Sequence, residues 1–180
     1  MNNYKQYIKT VADYPKKGIN FLDITPLLLQ GEVFNSLCED IKALVLRYSP
    51  QIIISPEARG FLFGTPVAQS LKLGLYMLRK KGKLPDDGSQ LSFMADKEYG
   101  SSEFVVNMND IRNLRSQGVR DVVIIDDVLA TGQTLLGIAD FYKNQGFNVK
   151  AVITAINIAP VGGMDLLKQN GYQVHAVIES

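Results

Sequence analysis

The chain has 180 residues, 46% of them apolar, and its 19 Lys and Arg against 18 Asp and Glu leave a net charge of +1. That length suits one domain, here 1–180, and the charge balance gives no bulk attraction to nucleic acid or to an anionic membrane. The one cysteine, Cys38, excludes a disulfide framework within the chain, and no apolar run reaches the length of a membrane span.

Cytoplasmic residence is the simplest expectation, since residues 1–5 also lack the basic-then-apolar pattern of a secretory leader. Tyr4, Ile8 and Val11 are spaced for a short helix ending near Pro15. Residues 21–29 form an irregular apolar segment broken by Pro26. Leu37, Ile41, Leu44 and Val45 mark one face of a helix entered at 34–36. A buried strand is predicted at 51–55, a helix at about 60–73 and a second strand at 74–79. The polar stretch 80–92 holds Gly82, Pro85 and Gly88, and strand-like residues flank it at 91–94 and 103–108. This predicts a mobile hairpin lid over about 80–104, with 98–101 near its base; long polar loops in compact domains are often functional. A strand at 121–126, a helix at about 133–145, a strand at 148–156, a short helix at 163–170 and a last strand at 172–178 complete the pattern. Alternating strands and helices predict an α/β fold with a mostly parallel central sheet flanked by helices on both faces. His175 lies in an alternating strand with no second His or Cys to make a metal site, and reads as structural.

Four constellations carry chemistry. The strongest runs from Val122 through Ile125 into Asp126-Asp127 and then to Ala130-Thr131-Gly132-Gln133-Thr134. It reads as a buried strand, a carboxylate pair, and a small loop opening a helix. Ligands of open α/β sheets bind at such strand ends. Hydroxyls and backbone N–H groups at a helix start seat a phosphate. The carboxylates suit vicinal hydroxyls or a cation, so the string points to a ribose 5-phosphate ligand. The plain alternative is that the two Asp only cap the helix. There is no G-x-x-x-x-G-K-[ST] and no G-x-G-x-x-G. The second constellation, Glu57-Ala58-Arg59-Gly60, again follows a β-branched strand. A guanidinium fork and helix-start N–H groups suit a diphosphate, although Glu57 and Arg59 could equally satisfy local chain ends. In the third, Arg79-Lys80-Lys81-Gly82-Lys83 enters the predicted lid, where basic groups would neutralise a leaving diphosphate. Such runs are more often solvated surface. In the fourth, Asn20-Phe21-Leu22-Asp23 offers a ring that could stack on a flat base or simply belong to the core.

The combination F-x-D-I-T-P-L, E-A-R-G-F-x-F-G, R-K-x-G-K-L-P, E-Y-G and D-D-x-L-A-T-G-x-T, over roughly 10–140, resembles the adenine phosphoribosyltransferases of the type I phosphoribosyltransferase family. The resemblance implies that fold, with an N-terminal hood over about 1–34 and the flexible lid. It implies transfer of ribose 5-phosphate from phosphoribosyl diphosphate (PRPP) to adenine, giving AMP and diphosphate, with Mg2+ held mainly through PRPP and no metal ligand assigned to the protein. By that likeness Asp126 and Asp127 engage the ribose, while Ala130, Thr131, Gly132, Gln133 and Thr134 hold the 5-phosphate. Glu57, Ala58, Arg59, Arg79 and Lys83 bind diphosphate, with a cis peptide at Glu57–Ala58. Glu98 acts as the acid/base carboxylate with Tyr99 beside it, and Asn20, Phe21 and Leu22 bind adenine. A homodimer is implied, with Arg79 or Lys83 reaching across it. The sequence departs from the family pattern at Leu22, Gln133, Lys97 and Asn157.

Two alternatives stay in play. One is a transferase for a 6-oxopurine, which would usually need a donor such as Lys near the Asp pair, where Val128 and Leu129 stand. The other is a PRPP-sensing regulator, which would bind nucleic acid through an added domain or a basic face.

Overall fold

A computed structural model describes residues 3–14, 16–18, 20–97 and 100–180, with backbone alone at 96, 97, 100 and 101. Runs of β-branched residues between turns set its strands, as steric fit to a pleated surface demands. After a single 3-10 turn at Tyr4–Tyr7 come β1 (Lys9–Val11), β2 (Phe21–Asp23), α1 (Thr25–Leu28), α2 (Gly31–Leu46), β3 (Ile52–Pro56), α3 (Gly60–Leu71) and β4 (Gly74–Lys80). Then follow β5 (Gln90–Lys97), β6 (Gly100–Asn107), α4 (Met108–Ser116), β7 (Asp121–Leu129) and α5 (Gln133–Asn144). The chain closes with β8 (Asn148–Asn157), a 3-10 turn at Ala159–Val161, α6 (Gly163–Gln169) and β9 (Val174–Glu179).

Seven of the described strands form one sheet in the order β5-β6-β4-β3-β7-β8-β9. The pairs β4·β3, β3·β7, β7·β8 and β8·β9 are parallel, whereas β6 joins β4 and β5 antiparallel. Residues alternate between two cores along each central strand. Ile52, Ile54, Val122, Ile124 and Val152 face α5, through Leu135, Ile138 and Tyr142. Ile53, Val123, Ile125 and Ile153 face α2 and α3, through Ile41, Val45, Phe63 and Val67. From β3 the chain leaves by α3 toward β4, and from β7 by α5 on the opposite face toward β8. The carboxyl ends of β3 and β7 therefore meet at a topological switch point, where the chain opens a crevice.

Three expectations change. The N-terminal helix is replaced by the 3-10 turn and by β1, which pairs with β2 over Lys9↔Asp23, Thr10↔Leu22 and Val11↔Phe21. A helix that short is marginal by itself, and a β-branched segment beside an extended partner gains a ladder instead. The segment 21–29 is regular: after β2, Asp23 Oδ1 accepts from Thr25 N at 2.9 Å and Pro26 sits in the first turn of α1, where its missing N–H costs nothing. The hairpin expected over about 80–104 is present, but its base is not where the pattern put it. β5 and β6 pair from Gln90↔Asn107 to Lys97↔Gly100, which puts 100–101 at the turn end of the hairpin rather than its base. Ala95, Phe104, Val105 and Val106 are buried, and Phe93 stacks on Phe141 with ring centroids 4.0 Å apart. Among the described residues of that span, only 81–89 is irregular, and it is itself tethered: Asp87 accepts from Ser89 N at 3.0 Å and from Asn107 Nδ2 at 2.9 Å. His175 meets the Tyr48 hydroxyl and ring, a structural contact far from the crevice.

Candidate active site

At the end of β7 the chain turns through Ala130-Thr131-Gly132 into α5. Gly132 has φ +79°, a left-handed conformation that a residue with a Cβ rarely adopts. At the end of β3 the peptide Glu57–Ala58 is cis, as the resemblance implies, and Arg59 leads into α3. Gly60 lets the α3 start lie against β7: a Cβ there would stand 2.9 Å from Asp126 Oδ1 and 3.1 Å from Ile125 O. Between the two turns lies a cavity of about 370 Å³, lined by 56–59, 126–132, 134 and 135, with Lys80 and Phe104.

Its charge pattern centres on two adjacent carboxylates. Asp127, with a side chain only 7% exposed, holds an ion pair with Arg59, Nε to Oδ2 at 2.7 Å. Asp126 Oδ1 accepts from the Asp127 N–H at 2.9 Å. Burial and the neighbouring Asp127 charge push Asp126 well above the usual carboxylate range. Burial also raises Asp127, against the opposing pull of Arg59. Arg59 is 44% exposed on its side chain and lies over the Phe21 ring, 5.4 Å from the centroid. Tyr14 meets Phe21 edge to face, also at 5.4 Å. One guanidinium thus links the Asp pair, the β3 turn and the aromatic of β2.

The predicted residues sort by geometry. Asp126, Asp127, Ala130, Thr131, Gly132, Thr134, Glu57, Ala58 and Arg59 line the cavity. Gln133 points outward and is exposed. The Glu57 side chain serves the protein rather than the cavity: it accepts from Arg79 Nε at 3.1 Å and from Lys80 N at 3.0 Å. Burial would raise its pKa, but those two donors outweigh it and hold Glu57 below its ordinary value. Asn20, Phe21 and Leu22 do not line the cavity; Leu22 is core, and Phe21 reaches it only through Arg59. Arg79 and Lys83 do not line it either. Strand parity explains Arg79: it lies over Phe61 on the α3 side, whereas Lys80 shares its face with buried Leu78 and reaches the crevice. Lys80 is the cation the basic run concealed, and counting in twos from Leu78 would have found it. Phe104 was hidden inside the predicted lid. Glu98 and Tyr99 lie outside the described residues.

The comparisons with known proteins give the family. The phosphoribosyl transferase domain model matches residues 30–167. The chain belongs to the phosphoribosyltransferase family. More narrowly, it is 38% identical to an adenine phosphoribosyltransferase of Mycoplasmopsis agalactiae, over 97% of this chain and 98% of the relative. It is 39% identical to one of Mycoplasmopsis pulmonis, over 98% of each. Among solved structures, the adenine phosphoribosyltransferase of Thermoanaerobacter pseudethanolicus superposes with a TM-score of 0.84 at 35% identity, covering 98% of both chains. The enzyme of Giardia lamblia complexed with 9-deazaadenine gives 0.86 at 30% identity, covering 99% of this chain and 96% of that one. As an adenine phosphoribosyltransferase family member, the chain has the type I fold.

Proposed function

We propose that the cavity binds PRPP between the β3 and β7 turns and transfers its phosphoribosyl group to adenine, giving AMP and diphosphate. The observation that carries this is the convergence of the Asp126-Asp127 pair, the Ala130–Thr134 loop and Arg59 on one cavity of about 370 Å³. The loop N–H groups and the Thr131 and Thr134 hydroxyls take the 5-phosphate. Asp126 and Asp127 accept from the ribose hydroxyls. Arg59 and Lys80 take the diphosphate, whose departure builds positive charge on the ribose, as in glycoside chemistry. A cation beside Asp126 and Asp127 would meet carboxylate oxygens there and take its other ligands from PRPP and water. Mg2+ bound in this way supplies charge that stabilises the departing diphosphate. Adenine stacks on Phe21, and N9 attacks while Glu98, with Tyr99 beside it, manages the purine proton.

Arg79 supports a homodimer. It lies outside its own cavity, on a face that also carries Met77, 51% exposed, and Leu62, 39% exposed. A second copy covering this face would bury both and bring Arg79 to the other cavity. No described helix is long and apolar enough to cross a membrane. Neither nucleic acid nor a lipid surface is part of this reading, and cytoplasmic residence fits a chain with one buried free thiol. The deciding experiment incubates the protein with PRPP, Mg2+ and each of five purine and pyrimidine bases. AMP from adenine alone is expected; a nucleotide of hypoxanthine or guanine instead would overturn the choice of base.

A further inference from the structure

The loop that seats the 5-phosphate is backed by a second piece of bare backbone. A Cβ built on Gly163 would stand 2.1 Å from Ala130 O, 2.6 Å from Gly132 N and 2.8 Å from the Thr131 carbonyl carbon. In the other direction, a Cβ on Gly132 would stand 2.7 Å from Gly163 O. Real Cβ atoms do not approach so closely, and every atom met is backbone, which cannot swing aside as a side chain can. Gly163 is also held in place. Ile158 N donates to Leu129 O at 2.8 Å, which ties the turn before α6 to the end of β7. Ala159 N donates to Ser180 O at 3.0 Å and Ser180 N to Asn157 O at 2.8 Å, which ties the same turn to the end of β9. The neighbouring Gly162 provides a contrast: its φ is +83°, but a Cβ there would meet nothing within 4 Å.

We propose that Gly163 is a positioning residue for the 5-phosphate: its bare backbone sets the depth of the Ala130–Gly132 loop, so that the loop N–H groups converge on one phosphate. The inference rests on the reading of 130–134 as the 5-phosphate seat. A methyl at 163 displaces the loop, and a phosphate held by several N–H groups loses alignment with all of them together. Ligands that carry a 5-phosphate suffer. Diphosphate, held from the β3 side by Arg59 and Lys80, does not.

The test compares Gly163→Ala with Gly162→Ala. Binding of AMP, ribose 5-phosphate and diphosphate is measured by calorimetry, alongside kcat, KM for PRPP, and Tm. Gly163→Ala is expected to weaken AMP and ribose 5-phosphate by roughly 10- to 100-fold, the scale of a lost hydrogen bond to a charged group. Diphosphate affinity and kcat at saturating PRPP hold, and KM for PRPP rises. Gly162→Ala lowers Tm through its left-handed φ and leaves AMP affinity unchanged. Wild-type AMP affinity in Gly163→Ala, or diphosphate affinity falling in step with AMP, overturns the proposal. Thr131→Ala and Thr134→Val test the seat separately: if both bind AMP as wild type does, the seat reading itself fails, whatever Gly163→Ala does. Should Gly163→Ala not fold, Pro160→Gly loosens the backing turn without adding an atom. A smaller loss confined to AMP and ribose 5-phosphate supports the proposal, and unchanged affinity for both overturns it.

Discussion

Asp126 is a residue the fold would do better without. Its carboxyl is raised by burial and by Asp127, so the folded state binds its proton more tightly than the unfolded chain does. The sign follows from linkage: the stability this group contributes is fully present below the unfolded value, near 3.9, and is lost as pH rises through the raised folded value. Asp126→Asn keeps an oxygen for the Asp127 N–H and removes the charge. Its Tm at pH 7 should therefore exceed that of wild type, by roughly 2–4 °C per kcal/mol recovered, and the advantage should vanish toward pH 4. PRPP use should fall in the same variant, and further in Asp126→Asn with Asp127→Asn, since each lost charge-assisted hydrogen bond costs roughly 1.5–3 kcal/mol of binding. Melting curves across pH together with KM for PRPP check both halves; a double variant with wild-type kinetics would remove the Asp pair from the site. Glu98 carries a different expectation. Glu98→Gln keeps shape and hydrogen bonding but loses the transferable proton, so turnover should drop by roughly 10²–10⁴-fold with PRPP affinity unchanged. Near-normal steady-state turnover at saturating PRPP and adenine would reduce Glu98 to a surface carboxylate.

The β5–β6 hairpin shows where local pattern stopped being informative. The strands β3, β7 and β8 were legible because β-branched runs need no context to choose an extended form. The residues Gln90-Leu91-Ser92-Phe93-Met94-Ala95-Asp96-Lys97 alternate weakly, and the burial of Phe93 and Ala95 comes from α5 packed against the sheet. Gly137 is the enabling residue there: a Cβ on it would stand 3.1 Å from Ala95 Cβ, so helix and strand meet at close range. No window of sequence around 95 carries that information. The same limit separated Arg79 from Lys80, because a run of five basic and glycine residues shows composition but not phase. The Asp pair and the phosphate loop were legible for the opposite reason, since their chemistry is local to one strand–turn–helix unit. If the hairpin is as well anchored as its buried Phe104 and Val106 indicate, trypsin should cut at Lys81 or Lys83, within 81–89, and spare 90–97. Saturating PRPP and adenine should slow that cleavage. Mass spectrometry of fragments and of amide exchange decides: rapid exchange across 91–95 and 102–106 would show a hairpin that opens freely, and a cleavage rate at 81–89 indifferent to ligand would remove that loop from the site.

At the scale of the molecule, one face of the sheet carries a cation the chain's own cavity does not use. Arg79 is fixed by Glu57 and lies over Phe61, with its exposed strand neighbour Met77 beside it and Leu62 on the adjoining helix. An arginine held this firmly, on the outside and next to apolar surface, suits a heterologous cavity better than water. If a second copy takes it, the active site is shared, and two different lesions should complement. Arg79→Ala removes the residue given to the partner; Asp127→Asn disables the chain's own cavity. Each variant alone should be weakly active. In a mixed dimer, the Arg79→Ala chain keeps an intact Asp127 and receives Arg79 from the other chain, so one of the two sites is whole. After equal mixing and subunit exchange, half the dimers are mixed, and activity should recover to about a quarter of the wild-type value per chain. Were Arg79 to act only within its own chain, both sites of every mixed dimer would carry a lesion and no recovery would occur. Met77→Glu provides the control, because a buried charge at the shared face should separate the chains. Sedimentation should then report monomers, and complementation should disappear with the dimer. Met77→Glu by itself, monomeric and with Arg79 and Asp127 intact, should be as weakly active as Arg79→Ala; wild-type turnover in that monomer would show that Arg79 reaches its own cavity by a rearrangement of β4.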